Sequence, residues 1–358
     1  MITWREGVVA ALGRSWPGAQ ELTATVDGEP VRALAYPGLV GAPQVGDRVL
    51  LTTAALQRGL GTGGYAFVAA LPDRLPPDPP AAPGHLVKAR YTPLQTLVLG
   101  ADEQESEHHE LLRDADDLDG MPVVVADLHS ALPAVVAGVR ARRPEARVGY
   151  LMTDGGALPL WFSRAVAGLR EAGWLAASVT VGQAFGGDVE AVSLHSGLLA
   201  ARLVLGCDVV VVSQGPGNLG TGTRWGFSGV AAGDAVNAVA TLGGRAVASL
   251  RVSGADPRER HRGISHHSLT AYGRVALARA DVVVPELPGD LGLLVAEQAE
   301  ALRERHDLHR VPVDGLEDAL RDCPVPLSTM GRGLADDPAP FLAAAAAGVH
   351  ATTLLDLT

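Results

Sequence analysis

From residue 120 onward the sequence repeats one unit: a short, uninterrupted, mostly valine run followed by a helix-length segment. The runs fall at 123–126, 148–152, 176–181, 209–213, 246–252, 282–284 and 310–313. A strand with one wet face must alternate apolar and polar residues. These runs do not alternate, so both of their faces are buried, and helices between them imply right-handed crossovers and parallel pairing. The expectation is an α/β, Rossmann-like, mainly parallel sheet with helices on both faces. A core for it can be built from Ala, Val and Leu, since 47% of the chain is hydrophobic but only 4% aromatic. At ~150 residues per domain, 358 residues leave room for a second domain.

The first seventy or so residues follow a different period. Apolar and polar positions alternate at 7–12, 21–26, 31–36, 45–51 and 65–71, with turn chemistry at Asp27-Gly28 and Val45-Gly46-Asp47. This predicts a small N-terminal antiparallel β-barrel, SH3-like or OB-like. Prolines at 76, 77, 79, 80 and 83 cannot continue a ladder and stiffen the chain as a spacer. The division expected is 1–75 for the barrel, 76–85 for a Pro-rich linker and 86–358 for the Rossmann-like domain. Within the last, the acidic stretch from Asp102 to Asp119 reads as a solvated helix and loop, with His108 and His109 exposed among its acids.

A net charge of −11 argues against bulk attraction to nucleic acid or to an anionic membrane, so any anion site must be local. No apolar stretch approaches the ~20 residues of a membrane span, and Arg5 and Glu6 stand where a signal peptide would need its apolar run. Cys207 and Cys323 have no metal-ligand spacing and read as small apolar fillers in a reducing, cytoplasmic setting. A homo-oligomer is compatible with this composition.

In a parallel sheet the ligand crevice lies beyond the carboxyl ends of the strands. Two segments there are rich in chemistry. Gly215, Gly217, Asn218, Gly220, Thr221, Gly222 and Thr223 follow the run at 209–213. Glycines at this density admit positive φ and a close approach of backbone N–H groups to phosphate or carboxylate oxygens, and a helix from about Ser228 would add its positive end. The spacing matches neither GxGxxG nor a P-loop, so a turn that serves only helix–strand packing is the competing reading. The second segment carries Arg251, Arg258, Arg260, His261, Arg262, His266 and His267. Arginine forks bind oxyanions and neutral histidines move protons; the duller alternative is a solvated loop paired with Asp256 and Glu259. Asp127 and Asp154, each just after a valine run, complete the candidate catalytic set with His261, His266 and His267. Asp127-Leu128-His129 has the DxH spacing of a metal site, but the Gly-Asn-His and Gly-His-x-His segments that would accompany it are missing, so the metal is undetermined and no cofactor is named.

The motifs Gly215-Pro216-Gly217 through Gly222-Thr223, Gly226-Phe227-Ser228-Gly229 and Arg251-x-Ser253 through Arg260-His261-x-Gly263-x-Ser265-His266-His267 resemble those of a bacterial domain-of-unknown-function family, over nearly the full length. The resemblance implies membership and no activity. On the residues themselves the leading expectation is an uncharacterised enzyme acting on a small anionic, phosphorylated or nucleotide-like ligand held between the two loops. A non-catalytic ligand sensor, with the barrel as partner module, and a metal-dependent hydrolase are the alternatives. Whether the chain is an enzyme stays open at this level.

Overall fold

The computed structural model describes residues 1–357. Met1–Pro83 with Val87–Leu97 form one compact unit; Gly84–Leu86 with the chain from Val98 onward form the other.

The first unit is a closed barrel of five strands, β1 (Trp4–Trp16), β2 (Ala19–Val26), β3 (Glu29–Ala35), β4 (Arg48–Thr52) and β5 (Ala66–Ala70), in the order β1-β2-β3-β5-β4. Every pairing is antiparallel except β3 with β5, where Ala33 meets Ala66 in parallel register. This five-stranded closure is of the OB type. Asp27 and Gly28 join β2 to β3 with φ of 51° and 85°, the two positive values a type I′ hairpin requires. Alternate residues, among them Leu22, Ala24, Val49, Leu51 and Val68, fill the interior.

The second unit is built on an eight-stranded sheet: β6 (Pro122–Val125), β7 (Val148–Thr153), β8 (Ala177–Thr180), β9 (Val189–Glu190), β10 (Val209–Gln214), β11 (Arg245–Ser249), β12 (Asp281–Glu286) and β13 (Asp307–Pro312). The order is β9-β8-β7-β10-β6-β11-β12-β13, and all pairs are parallel. Seven strands coincide with the valine runs. The eighth, β9, has two residues and no run of its own; it pairs with β8 through Val179 and Val189.

The chain leaves β6 through helix α1 (Leu132–Arg142) toward β7, and leaves β10 through α2 (Ala232–Thr241) in the other direction, to β11. Right-handed crossovers in opposite directions put α1 and α2 on opposite faces. The connections that leave the carboxyl ends of the paired strands β10 and β6 therefore diverge to opposite faces, which makes the crevice. Helix α3 (His266–Thr270) enters from the loop after β11, and α4 (Ala339–Leu354) lies against α1. Small residues make that last contact: a Cβ on Gly138 would collide with the Ala345 carbonyl, and one on Gly348 with that of Val135. The alanines at 343–347 are all buried here, so this apolar run is an internal helix. No helix among the described residues is long and apolar enough to cross a membrane. Cys207 fills the space beside Gly149, where a Cβ would come within 2.6 Å of its sulfur.

Candidate active site at the carboxyl end of the sheet

Asp127 leaves β6 into the crevice and is 3% exposed. Its Oδ2 is buried with no hydrogen-bond partner. Burial pushes its pKa upward, and the Arg251 charge pulls the other way. Asp127 lines two small clefts. One, on the α1/α4 face, includes Ser130, Ser249, Arg251, Thr329 and Phe341; the other, on the α2 face, includes Thr153, Ser213, Gln214 and Ser228.

Gln214, the last residue of β10, donates from Nε2 to the Asp127 carbonyl and to Asn218 Oδ1, both at 2.9 Å. Asn218 Oδ1 also accepts from Ser228 Oγ and from the Gly229 N–H, each at 3.3 Å. The α-helix expected from Ser228 begins as a 3-10 turn, Ser228–Ala231, before α2. Asn218 takes up one of its first N–H groups, a capping role that the sequence reading did not assign to it. Further along, Gly217 and Gly222 have φ of 94° and 78°, and the Gly226 carbonyl accepts from Thr221 N at 2.7 Å. Thr221 and Thr223 hydroxyls lie 3.0 Å apart. A Cβ on Gly222 would lie 3.9 Å from Arg260 Nη2, so the two loops meet there; Gly220 is exposed, and Gly215 is buried beneath the loop.

Across from this loop the three histidines form one cluster. Ring centroids are 4.4 Å apart for His266 and His267, and 5.0 Å from His261 to each. Phe227 stacks flat on His267 at 3.8 Å, tying the glycine segment to the cluster. Arg251 Nη1 donates to His267 Nδ1 at 3.3 Å, which fixes the neutral tautomer with the proton on Nε2. His261 Nδ1 is 2.8 Å from the hydroxyl of Ser265, the N-cap of α3. His266 Nε2 is buried without a partner. Burial, followed by neighbouring positive charge from Arg251, Arg258 or the other histidines, lowers His261 to about 4 and His267 to about 3. Burial and the Arg260 charge lower His266 as well. All three are neutral near pH 7.

The arginines divide into two kinds. Arg258 grips Asp256 with Nε and Nη2 at 2.9 and 2.8 Å, and Arg332 adds a third contact at 3.2 Å. These interactions hold the Asp256 carboxyl well below the usual range. Ser253 Oγ and the Gly254 N–H are held by Asp337. Pairing within the loop is therefore the role of Arg258. Arg251 and Arg260, in contrast, have no carboxylate ion-pair partner among the described residues.

Asp154 stands apart. It is exposed, and its Oδ2 accepts from the Gln183 N–H at 2.8 Å, a bond that closes the turn after β8. Asn218 and the three histidines line neither of the two Asp127 clefts. Sequence reasoning passed over several contributors. Tyr150 donates to the Gln214 carbonyl at 3.1 Å and Tyr272 to that of Val125 at 2.8 Å, bracing the strand ends. His129 bridges Tyr150 and Ser163 at 2.9 and 2.7 Å, and burial lowers it to about 4. His129 is singled out by its DxH position as part of a metal motif, and its bracing role is what the sequence does not show. Thr329 and Phe341, which arrive from the far end of the chain, carried no signal.

The family model described as a protein of unknown function, DUF3866, matches residues 32–348, most of the chain. No curated protein matches it.

Proposed function

The chain belongs to that family of unknown function, and from this premise we propose that it is an enzyme acting on a small anionic molecule, phosphorylated or nucleotide-like, held between the glycine-rich and arginine-histidine loops. The observation that carries this reading is His266 Nε2, buried and without a partner inside a cluster of neutral imidazoles. An unpartnered basic nitrogen of this kind is available to exchange a proton with a bound ligand. Arg251 and Arg260, free of carboxylates, would take the charge of the ligand, and the backbone at Gly217–Gly222 would close over it. Asp127, whose carboxyl resists ionisation, would orient Arg251 or donate a proton. An arriving anion would raise the histidine pKa values toward neutrality, so binding itself would poise His266 for exchange.

The test begins with thermal shift against inorganic phosphate, pyrophosphate and nucleoside phosphates. Stabilisation of the wild type, lost in R251Q and R260Q, is the expected result. With the best ligand class in hand, H266A should retain binding and lose turnover. If no anion stabilises the chain, or if H266A leaves turnover intact, the reading fails. A second reading, a metal-dependent hydrolase, draws on the ligand nitrogens of His261, His266 and His267, which all lie within 4.8 Å of one another. Against it stands the Arg251 cation on His267. Elemental analysis of the purified wild type and of H261Q decides between them: metal that disappears in H261Q belongs to this cluster.

A further inference from the structure

At the opposite, amino-terminal end of the same sheet lies a cluster that the proposed chemistry does not use. Asp281 opens β12, His309 is the third residue of β13 and His350 comes from α4. Parallel register aligns Asp281 with Asp307 and Val283 with His309, so Asp281 and His309 project from one face, the face that α4 covers. Asp281 is 7% exposed and His350 8%, while His309 is half-buried and borders solvent. We propose that Asp281, His309 and His350 bind a divalent transition-metal ion of the zinc class.

Both histidines point Nε2 at the same carboxylate. His350 Nε2 lies 3.0 Å from Oδ2 and His309 Nε2 lies 3.3 Å from Oδ1. The donor atoms of the three residues all fall within 4.8 Å of one another. With metal–ligand bonds of about 2.0–2.1 Å, adjacent ligand atoms around a six- or four-coordinate ion are separated by roughly 2.9–3.4 Å. The two approaches match that spacing without movement of the backbone.

A purely structural ion pair would account for His350. It does not account for His309, whose Nε2 is buried and makes no hydrogen bond, because its approach to Oδ1 lacks the necessary alignment. His309 Nε2 thus faces the carboxylate at 3.3 Å in an alignment that a hydrogen bond does not use and that an ion bridging the two would. Two imidazoles and one carboxylate form a donor set suited to zinc, iron(II), cobalt or nickel, with the exposed side of His309 leaving room for water as a further ligand. Arg245 Nη2 lies 3.3 Å from Asp281 Oδ2 on a half-exposed side chain, so it competes with the metal and can swing into solvent when the carboxylate is taken.

This inference is independent of the proposed function. The test is titration of the full, EDTA-treated chain with Co2+, read by visible absorption and by calorimetry. Wild type should bind, H309Q and H350Q should each bind roughly 100-fold more weakly or worse, and R245Q should bind several-fold more tightly. H266Q, at the other end of the sheet, should leave this site unchanged. His309 borders solvent on a strand, so H309Q folds even if H350Q does not, and circular dichroism verifies each variant. Absence of binding to the wild type at millimolar Co2+, equal affinity in H309Q, or weakened binding in R245Q would overturn the assignment.

Discussion

The two ends of the parallel sheet each gather histidines from separate elements, yet they surround them with opposite charge. At the carboxyl end His261, His266 and His267 sit among Arg251, Arg258 and Arg260. At the amino end His309 and His350 converge on Asp281, with one arginine at the margin. The same side chain is thus prepared for an anionic ligand in one place and for a cation in the other. Neighbours decide its chemistry: at the carboxyl end burial and arginine charge hold the imidazoles neutral, whereas at the amino end a carboxylate faces them.

The largest expected effect separates the two ends outright. R251Q should lower affinity for pyrophosphate by about ten- to a hundredfold, the value of a hydrogen bond to a charged group, while Co2+ binding at the amino end stays the same. Calorimetry with both ligands checks it. Parallel loss of both would mean that Arg251 supports the fold, and the contrast between the ends would lose its basis.

Acid should act next, and on the carboxyl end. His129 and His261 are lowered to about 4 and His267 to about 3, from 6.5. As pH falls below about 6.5 the unfolded chain takes up protons first, and the native state does not follow until about 4. Stability is therefore lost progressively between those values. The melting temperature should drop by several degrees from pH 7 to pH 5, and H267N should flatten that slope. Histidine titration by NMR would sharpen the point by giving the individual midpoints.

A smaller effect is expected from Gly217→Val. A Cβ there meets open space, but φ is 94°, so the cost is the left-handed strain of about 1–2 kcal/mol and a few degrees of melting temperature. Pyrophosphate binding should fall by more than that loss explains. Loss of stability with no change in binding would reduce the glycine segment to a packing turn.

The smallest effect concerns the segment between barrel and sheet. The prolines at 76–83 lie in chain without helix or strand, and we propose this segment as the first site of limited proteolysis. The carboxyl-terminal fragment should keep both its Co2+ binding and its histidine titration. Earlier cuts inside the sheet would overturn that boundary.

Much of this architecture is legible in one dimension. Valine runs without alternation read as strands buried on both faces, which holds except at the sheet edge, where only Val311 of β13 is buried, and Asp27-Gly28 could only with difficulty be anything but a tight hairpin. The positions after the strands followed from the crossover rule; the structure sets Asp127 beside Arg251 in one cleft and beside Gln214 in another, on the opposite face. Asp154 was read by the same rule, but its carboxylate closes a turn on Gln183, since proximity to a strand end does not fix which way a side chain hydrogen-bonds. Asn218 was read as a ligand contact and caps the first turn before α2.

What the sequence by itself determined was the N-terminal barrel and the parallel sheet, because these depend on periods and turn chemistry that act within a few residues. Tertiary structure alone decided which arginines are spent on Asp256 and which are free, how burial and charge lower the histidines, and that Asp281, His309 and His350 meet at all. Those outcomes depend on distances between residues remote in the chain, and Coulomb energies, desolvation and ligand geometry are functions of such distances.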